Sequence, residues 1–130
     1  DMTYASLKSS NFIDTSFREA EFYGEYITNC TLHNCSFSQA QCQHTVFSST
    51  FKGTTSFAKS NLENAVFSGS FFQGDISFQD AILVNTDLTN IKLDKESTIN
   101  IDNAIISENT LNQLKKQFPN QIKGLKTAVV

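Results

Sequence analysis

Residues 27–47 read Ile27-Thr28-Asn29-Cys30-Thr31-Leu32-His33-Asn34-Cys35-Ser36-Phe37-Ser38-Gln39-Ala40-Gln41-Cys42-Gln43-His44-Thr45-Val46-Phe47, and a large apolar residue returns at every fifth place. Carried outward, the beat takes in Met2, Leu7, Phe12, Phe17 and Phe22 before this stretch, and Phe57, Leu62, Phe67 and Phe72 after it. One inserted residue moves it to Phe78, Leu83, Leu88 and Leu93, and three more around Lys95 to Thr98 move it to Ile101 and Ile106. Of 21 beat positions 20 are apolar, Lys52 being the exception, whereas the 39% apolar composition would put about eight there. The period therefore organises the chain as a repeat.

A second rhythm runs two residues earlier. Sixteen of 20 such places, from Ala5 and Ser10 to Thr86 and Ala104 and including Cys30, Cys35 and Thr50, hold Ala, Ser, Thr or Cys, types that supply 39 of the 130 residues. In extended chain, residues i and i−2 face the same way. Each unit thus points one bulky and one small side chain inward and leaves the others outside. A period of five suits neither the helix, at 3.6, nor the plain strand, at 2, so every unit must end in a bend.

The triplets Ala5-Ser6-Leu7, Ser10-Asn11-Phe12, Ser60-Asn61-Leu62 and Thr86-Asp87-Leu88 resemble the pentapeptide-repeat pattern of a small residue, often Asp or Asn, then Leu or Phe. The resemblance covers residues 1–106 and implies an all-β fold, a right-handed quadrilateral parallel β-helix with four units to a coil. Ser, Thr, Gln and Tyr stand in many places where the family pattern has Asp or Asn. Stacking one coil on the next then builds an all-Phe column of Phe17, Phe37, Phe57 and Phe78, and a second column of Phe12, Leu32, Lys52, Phe72 and Leu93. About five coils at roughly 4.8 Å spacing make a rod on the order of 25 Å long.

Five Gly and one Pro leave no room for a flexible linker, and no apolar run has the ~18 residues of a membrane span. No signal-peptide pattern opens the chain. The rhythm is already in phase at Met2, so the expectation is of a fragment with further chain before Asp1. From Ser107, a helix N-cap candidate, the spacing becomes Leu111, Leu114, Phe118, Ile122 and Leu125, which predicts an amphipathic capping helix and tail over 107–130. Pro119 ends that helix or kinks it into a second. The main reading is a cover over the last coil; a partner-binding helix is the alternative.

Residues 1–108 carry all 13 acids against six bases, a net of −7, and residues 109–130 carry four Lys and no acids. Some pentapeptide-repeat proteins mimic duplex DNA and occupy topoisomerases, but a duplex presents two phosphates per base-pair rise, far denser than this. Bases do not cluster on the repeats, which argues against direct nucleic-acid binding. Residue chemistry points away from an enzyme. His33 and His44 fall at outward places on different units with no carboxylate or nucleophile in register. Cys30, Cys35 and Cys42 fall at inward places and read as buried small hydrophobes, and no C-x-x-C pair marks a metal site or a disulfide framework. Glu19 and Glu21 stand on different sides of the coil, and no Gly-rich phosphate loop is present. No cofactor, metal or small-molecule substrate is expected.

What remains is the outer surface. The place before each beat reads Ser6, Tyr26, Val46, Val66, Asp87 on one side and Asn11, Thr31, Phe51, Phe71, Lys92 on the next. Tyr26, Val46, Val66, Phe51 and Phe71 are the candidate partner-binding residues, since an exposed apolar patch marks a protein interface. The plain alternative is ladder packing of β-branched and aromatic residues, with Phe51 replacing Lys52 inside through a local bulge, because an unpaired buried ammonium is costly. The expectation is a non-catalytic protein-binding scaffold. Resemblance to secreted bacterial effectors, including HECT-like ubiquitin ligases with a pentapeptide β-helix beside a separate catalytic domain, implies a substrate-binding module of a larger bacterial protein, in the bacterial cytoplasm or delivered to a host cell. A freestanding DNA-mimicking rod that inhibits a topoisomerase is the alternative.

Overall fold

The computed structural model describes residues 6–124 and 126–130; Met2, Ala5 and Leu125, assigned above to the beat, a small slot and the helix, lie outside the described residues. The chain winds as a parallel β-solenoid of about six turns with one short helix. Pairings advance one coil per rung: Leu7 stacks on Ile27, Ile27 on Phe47, Leu32 on Phe51, and Phe72 on Leu93. Single bridges extend two further ladders, through Ser16, Ser36 and Ser56 and through Glu21, Gln41, Asn61 and Ile82.

The bends have one cause. The residue two places past most beats takes a left-handed backbone, as at Asn29 (φ 55°), Asn34 (φ 53°), His44 (φ 62°), Asn64 (φ 61°), Asn85 (φ 54°) and Asn103 (φ 58°). Asn, Asp and Gly tolerate that conformation best, and most of these corners hold one of them.

No such residue falls between Phe47 and Phe51, and there the five-residue rule breaks. Strand Val46–Lys52 runs straight and alternates, with Phe47, Ser49 and Phe51 buried, the residues between them half-buried and Lys52 exposed. Its register against strand Tyr26–His33 shifts between Thr28 and Thr31. The small slot is therefore Ser49 in place of Thr50, and the large one is Phe51 in place of Lys52. Phe51, placed outside by the strict count and taken as a binding residue, is 1% exposed and stacks on Phe72 at 5.0 Å. A one-residue slip exchanges inside for outside. Here it buries a ring and leaves an ammonium in water, both favourable. Extra residues are taken up at one corner, between Phe51 and Phe57, between Phe72 and Phe78, and between Leu93 and Ile101.

Inside, the rings stack along the axis, Phe17 on Phe37 at 4.9 Å, Phe37 on Phe57 at 4.7 Å and Phe47 on Phe67 at 4.8 Å. Across the lumen they meet edge to face, as at Phe37 and Phe47, 5.6 Å apart at 85°. Both arrangements suit the ring quadrupole. The small slots are chosen for hydroxyls and thiols as well as for size. Ser49 Oγ donates to the Ile27 carbonyl at 2.8 Å and Thr86 Oγ1 to the Leu62 carbonyl at 2.8 Å. Thr45 and Ser70 reach the carbonyls of Phe22 and Phe47 likewise, and Cys30 and Cys35 those of Leu7 and Phe12. Each bond ties a slot to the coil before it.

The helix is Glu108–Gln117 with Ser107 at its N-cap, and it buries Thr110, Leu111 and Leu114. It lies along a strand edge. The Leu88 N–H donates to Gln113 Oε1 at 2.9 Å, Gln117 Nε2 donates to the Leu88 carbonyl at 2.7 Å, and Thr110 Oγ1 donates to the Thr86 carbonyl at 2.7 Å. Side-chain amides thus stand in for another strand. The helix stops before Pro119, and no second helix follows among the described residues. Ile122, expected on the helical stripe, stacks on Ile99 in strand Ile122–Lys123, and strand Ala128–Val129 pairs with Ile105–Ile106. The helix is a lateral cover within the winding, and the strands after it raise the coil number above the five expected.

Candidate partner-binding surface

Tyr26, Val46 and Val66 occupy consecutive rungs of one outer ladder, with Asp87 next. Tyr26 is 52% exposed, and Val46 and Val66 are half-buried. Phe71 lies on the adjoining ladder between Thr50 and Lys92 and is half-buried. The structure thus gathers Tyr26, Val46, Val66 and Phe71 on two neighbouring sides and removes Phe51 to the core. Two exposed apolar residues lie outside the two sides read above. Tyr23, 40% exposed, sits just after Phe22, with its ring 5.5 Å from that of His44 and edge-on to it. Ile105, 42% exposed, stacks on Ile82. An outward aromatic beside a corner glycine was the available signal for Tyr23.

Burial raises three titratable side chains inside the winding. Burial pushes the Cys42 thiol up to about 12. Burial likewise raises Cys35, against the opposing pull of backbone hydrogen bonds at Thr15 and His33. Glu25, fully buried, has its carboxyl raised by loss of water, and neither carboxylate oxygen has a hydrogen-bond partner. Among the described residues no group of three or more His, Cys, Asp or Glu could hold a metal ion. No helix among them is long and apolar enough to cross a membrane.

No family model and no curated protein matches the sequence. Among solved structures, a pentapeptide-repeat protein of the thylakoid lumen of Arabidopsis thaliana superposes with a TM-score of 0.52 and 19% identity over 74% of this chain and 70% of its own. The chain has the pentapeptide-repeat fold. A pentapeptide-repeat protein of the cyanobacterium Cyanothece 51142 superposes with a TM-score of 0.44 and 18% identity over 73% of this chain and 88% of its own. For a trypsin-treated form of QnrB1, a plasmid-mediated fluoroquinolone resistance protein, the values are 0.34 and 18% over 79% and 58%. In the pentapeptide-repeat fold of this chain the lumen is filled by side chains, so binding chemistry is confined to the outer ladders and corners.

Proposed function

We propose that this pentapeptide-repeat rod is a non-catalytic protein-binding scaffold whose contact surface is the ladder Tyr26, Val46 and Val66, with Phe71 beside it. The observation that carries the reading is the register that sets a half-exposed tyrosine over two valines on successive coils. Tyrosines at the centre of such a patch supply contact area at small entropic cost. A solenoid held by stacked rings loses little further freedom on binding. The charge pattern favours this reading over a DNA mimic, because the outer ladder that reaches Asp87 runs through Tyr26, Val46 and Val66 and not through a row of acids. On the resemblance to bacterial effectors, the rod serves as the substrate-contacting module of a larger bacterial protein. The full reading frame of its gene tests that point.

The surface itself is tested by changing Tyr26→Ser, Val46→Thr and Val66→Thr together. Partner capture from host and bacterial lysates is expected to be lost. Because threonine keeps the β-branched shape on the ladder, the melting temperature is expected to stay within roughly 5 °C. Capture that survives the triple change rejects this surface.

A further inference from the structure

Strand Asn11–Ile13 pairs with strand Tyr26–His33 along one edge, and among the described residues no strand covers its other edge. Its Phe12 is half-buried and Ile13 is 59% exposed, so less apolar surface anchors it than anchors Leu32 or Phe51 on the coils beyond. The chain from Leu7 to Phe12 is tied to the next coil through sulfur at both ends. Cys30 Sγ donates to the Leu7 carbonyl and Cys35 Sγ to the Phe12 carbonyl, each at 3.5 Å. A second carbonyl competes for each thiol, that of Thr28 at 3.5 Å and that of His33 at 3.6 Å. A thiol is a weak donor. One coil on, Ser49 takes the place of Cys30 and its hydroxyl holds the Ile27 carbonyl at 2.8 Å. The ties are thus weakest where the strand has fewest neighbours.

Both thiols are 2% exposed, so neither meets a reagent until the strand lifts, and local opening of that kind begins where buried contacts are fewest. We propose that Cys30 and Cys35 form a redox latch: when strand Asn11–Ile13 lifts, a small-molecule disulfide modifies them and keeps it lifted. The cysteine gives up its proton, and its sulfur attacks one sulfur of the small disulfide. That S–S bond breaks, a mixed disulfide forms on the cysteine, and the departing thiolate takes up a proton. The cysteine is oxidised and half of the small disulfide is reduced; an added thiol reverses the exchange. On later coils the same slots hold nothing larger than Ile91 and Ile76, so a bulky adduct cannot be enclosed and the strand cannot re-dock. Thr31 to His33 then keep an unpaired edge, a template for another strand. The latch stands independently of the ladder Tyr26, Val46 and Val66.

The full chain is treated with millimolar glutathione disulfide at mildly alkaline pH, and each cysteine is followed by peptide mass mapping. Cys30 and Cys35 are expected to gain the glutathionyl group at rates within about threefold of each other, because one opening frees both. Cys42, fully buried in the beat column between Phe22 and Leu62, should react on the order of 100-fold more slowly. The Ser9 and Asp14 amides donate to the Thr28 and His33 carbonyls at 3.1 and 2.8 Å. On the modified chain both should exchange with deuterium about tenfold faster, dithiothreitol should restore them, and the Leu88 amide should not change. Cys30→Ser, a stronger donor in the same slot, should slow modification of Cys35 several-fold, and Cys30→Ala should speed it. If either variant fails to fold, the labelling and exchange of the parent decide alone. Cys42 reacting as fast as the other two overturns the latch. So does the absence of adduct on Cys30 and Cys35 under exposure that fully modifies a guanidinium-unfolded sample, or adduct that leaves Ser9 and Asp14 exchange unchanged, or a serine and an alanine variant that act alike.

Discussion

Glu25 occupies an inward slot that Thr45, Ala65 and Thr86 fill on the coils beyond, and it brings a carboxylate with no hydrogen bond into that slot. Burial raises its pKa, so the folded chain keeps the proton to higher pH than the unfolded chain does. The associated stability is fully present below the ordinary carboxyl value of about 4.3 and is lost as pH rises through the folded value. Glu25→Gln should therefore melt higher than the parent at pH 7.5, nearly equally at pH 4, and with a flatter profile between. Equal melting temperatures at pH 7.5 would show the carboxylate reaching water. Gly74 is limiting for a different reason. A Cβ there would lie 2.0 Å from the Gly53 carbonyl oxygen, at φ 153°. Gly74→Ala should cost on the order of 1–3 kcal/mol in urea unfolding, and more than Gly69→Ala, whose Cβ would meet the movable Ser48 hydroxyl at 3.0 Å.

Among the elements, the helix Glu108–Gln117 holds its strand edge through two glutamines. Gln113→Leu removes the acceptor of the Leu88 N–H, so that amide should exchange with deuterium several-fold faster and stability should fall by about 1 kcal/mol. Unchanged exchange at Leu88 would mean that another group covers the edge. The stripe Leu111, Leu114 and Phe118 announced this helix, but it could not announce that the helix lies beside the winding. That depends on Gln113 and Gln117, whose polar side chains look like surface residues until Leu88 is placed next to them. Ile122 belonged to two patterns at once, four residues past Phe118 and one coil past Ile99, and Pro119 decided for the strand. The Phe17 to Phe78 column was legible because each ring stacks on its own kind at one fixed interval. Phe51 was legible only as the alternative that puts it inside in place of Lys52, because a single missing residue inverts the parity of everything after it until the next corner. Gly53, two places past Phe51, carried the clue, since left-handed corners sit two places past the beat. The ladder Tyr26, Val46 and Val66 was readable by the same interval, whereas the contact of Tyr23 with His44 needed the corner's three-dimensional turn.

As a whole the molecule is close to one-dimensional, each coil touching only its neighbours, so opening should begin at the ends. Amides of Phe37, Phe57 and Phe78 are expected to exchange slowest and those of Leu7 and Phe12 fastest; uniform protection would indicate a single all-or-none unit. The corner that follows Phe12, Leu32, Phe51, Phe72 and Leu93 absorbs every added residue in the repeats, up to the long step from Leu93 to Ile101. Such an edge works as a splice point. A reporter peptide inserted between Lys95 and Glu96, both exposed, would ride outside the winding, clear of the ring stack, and give the rod a handle for imaging in living cells.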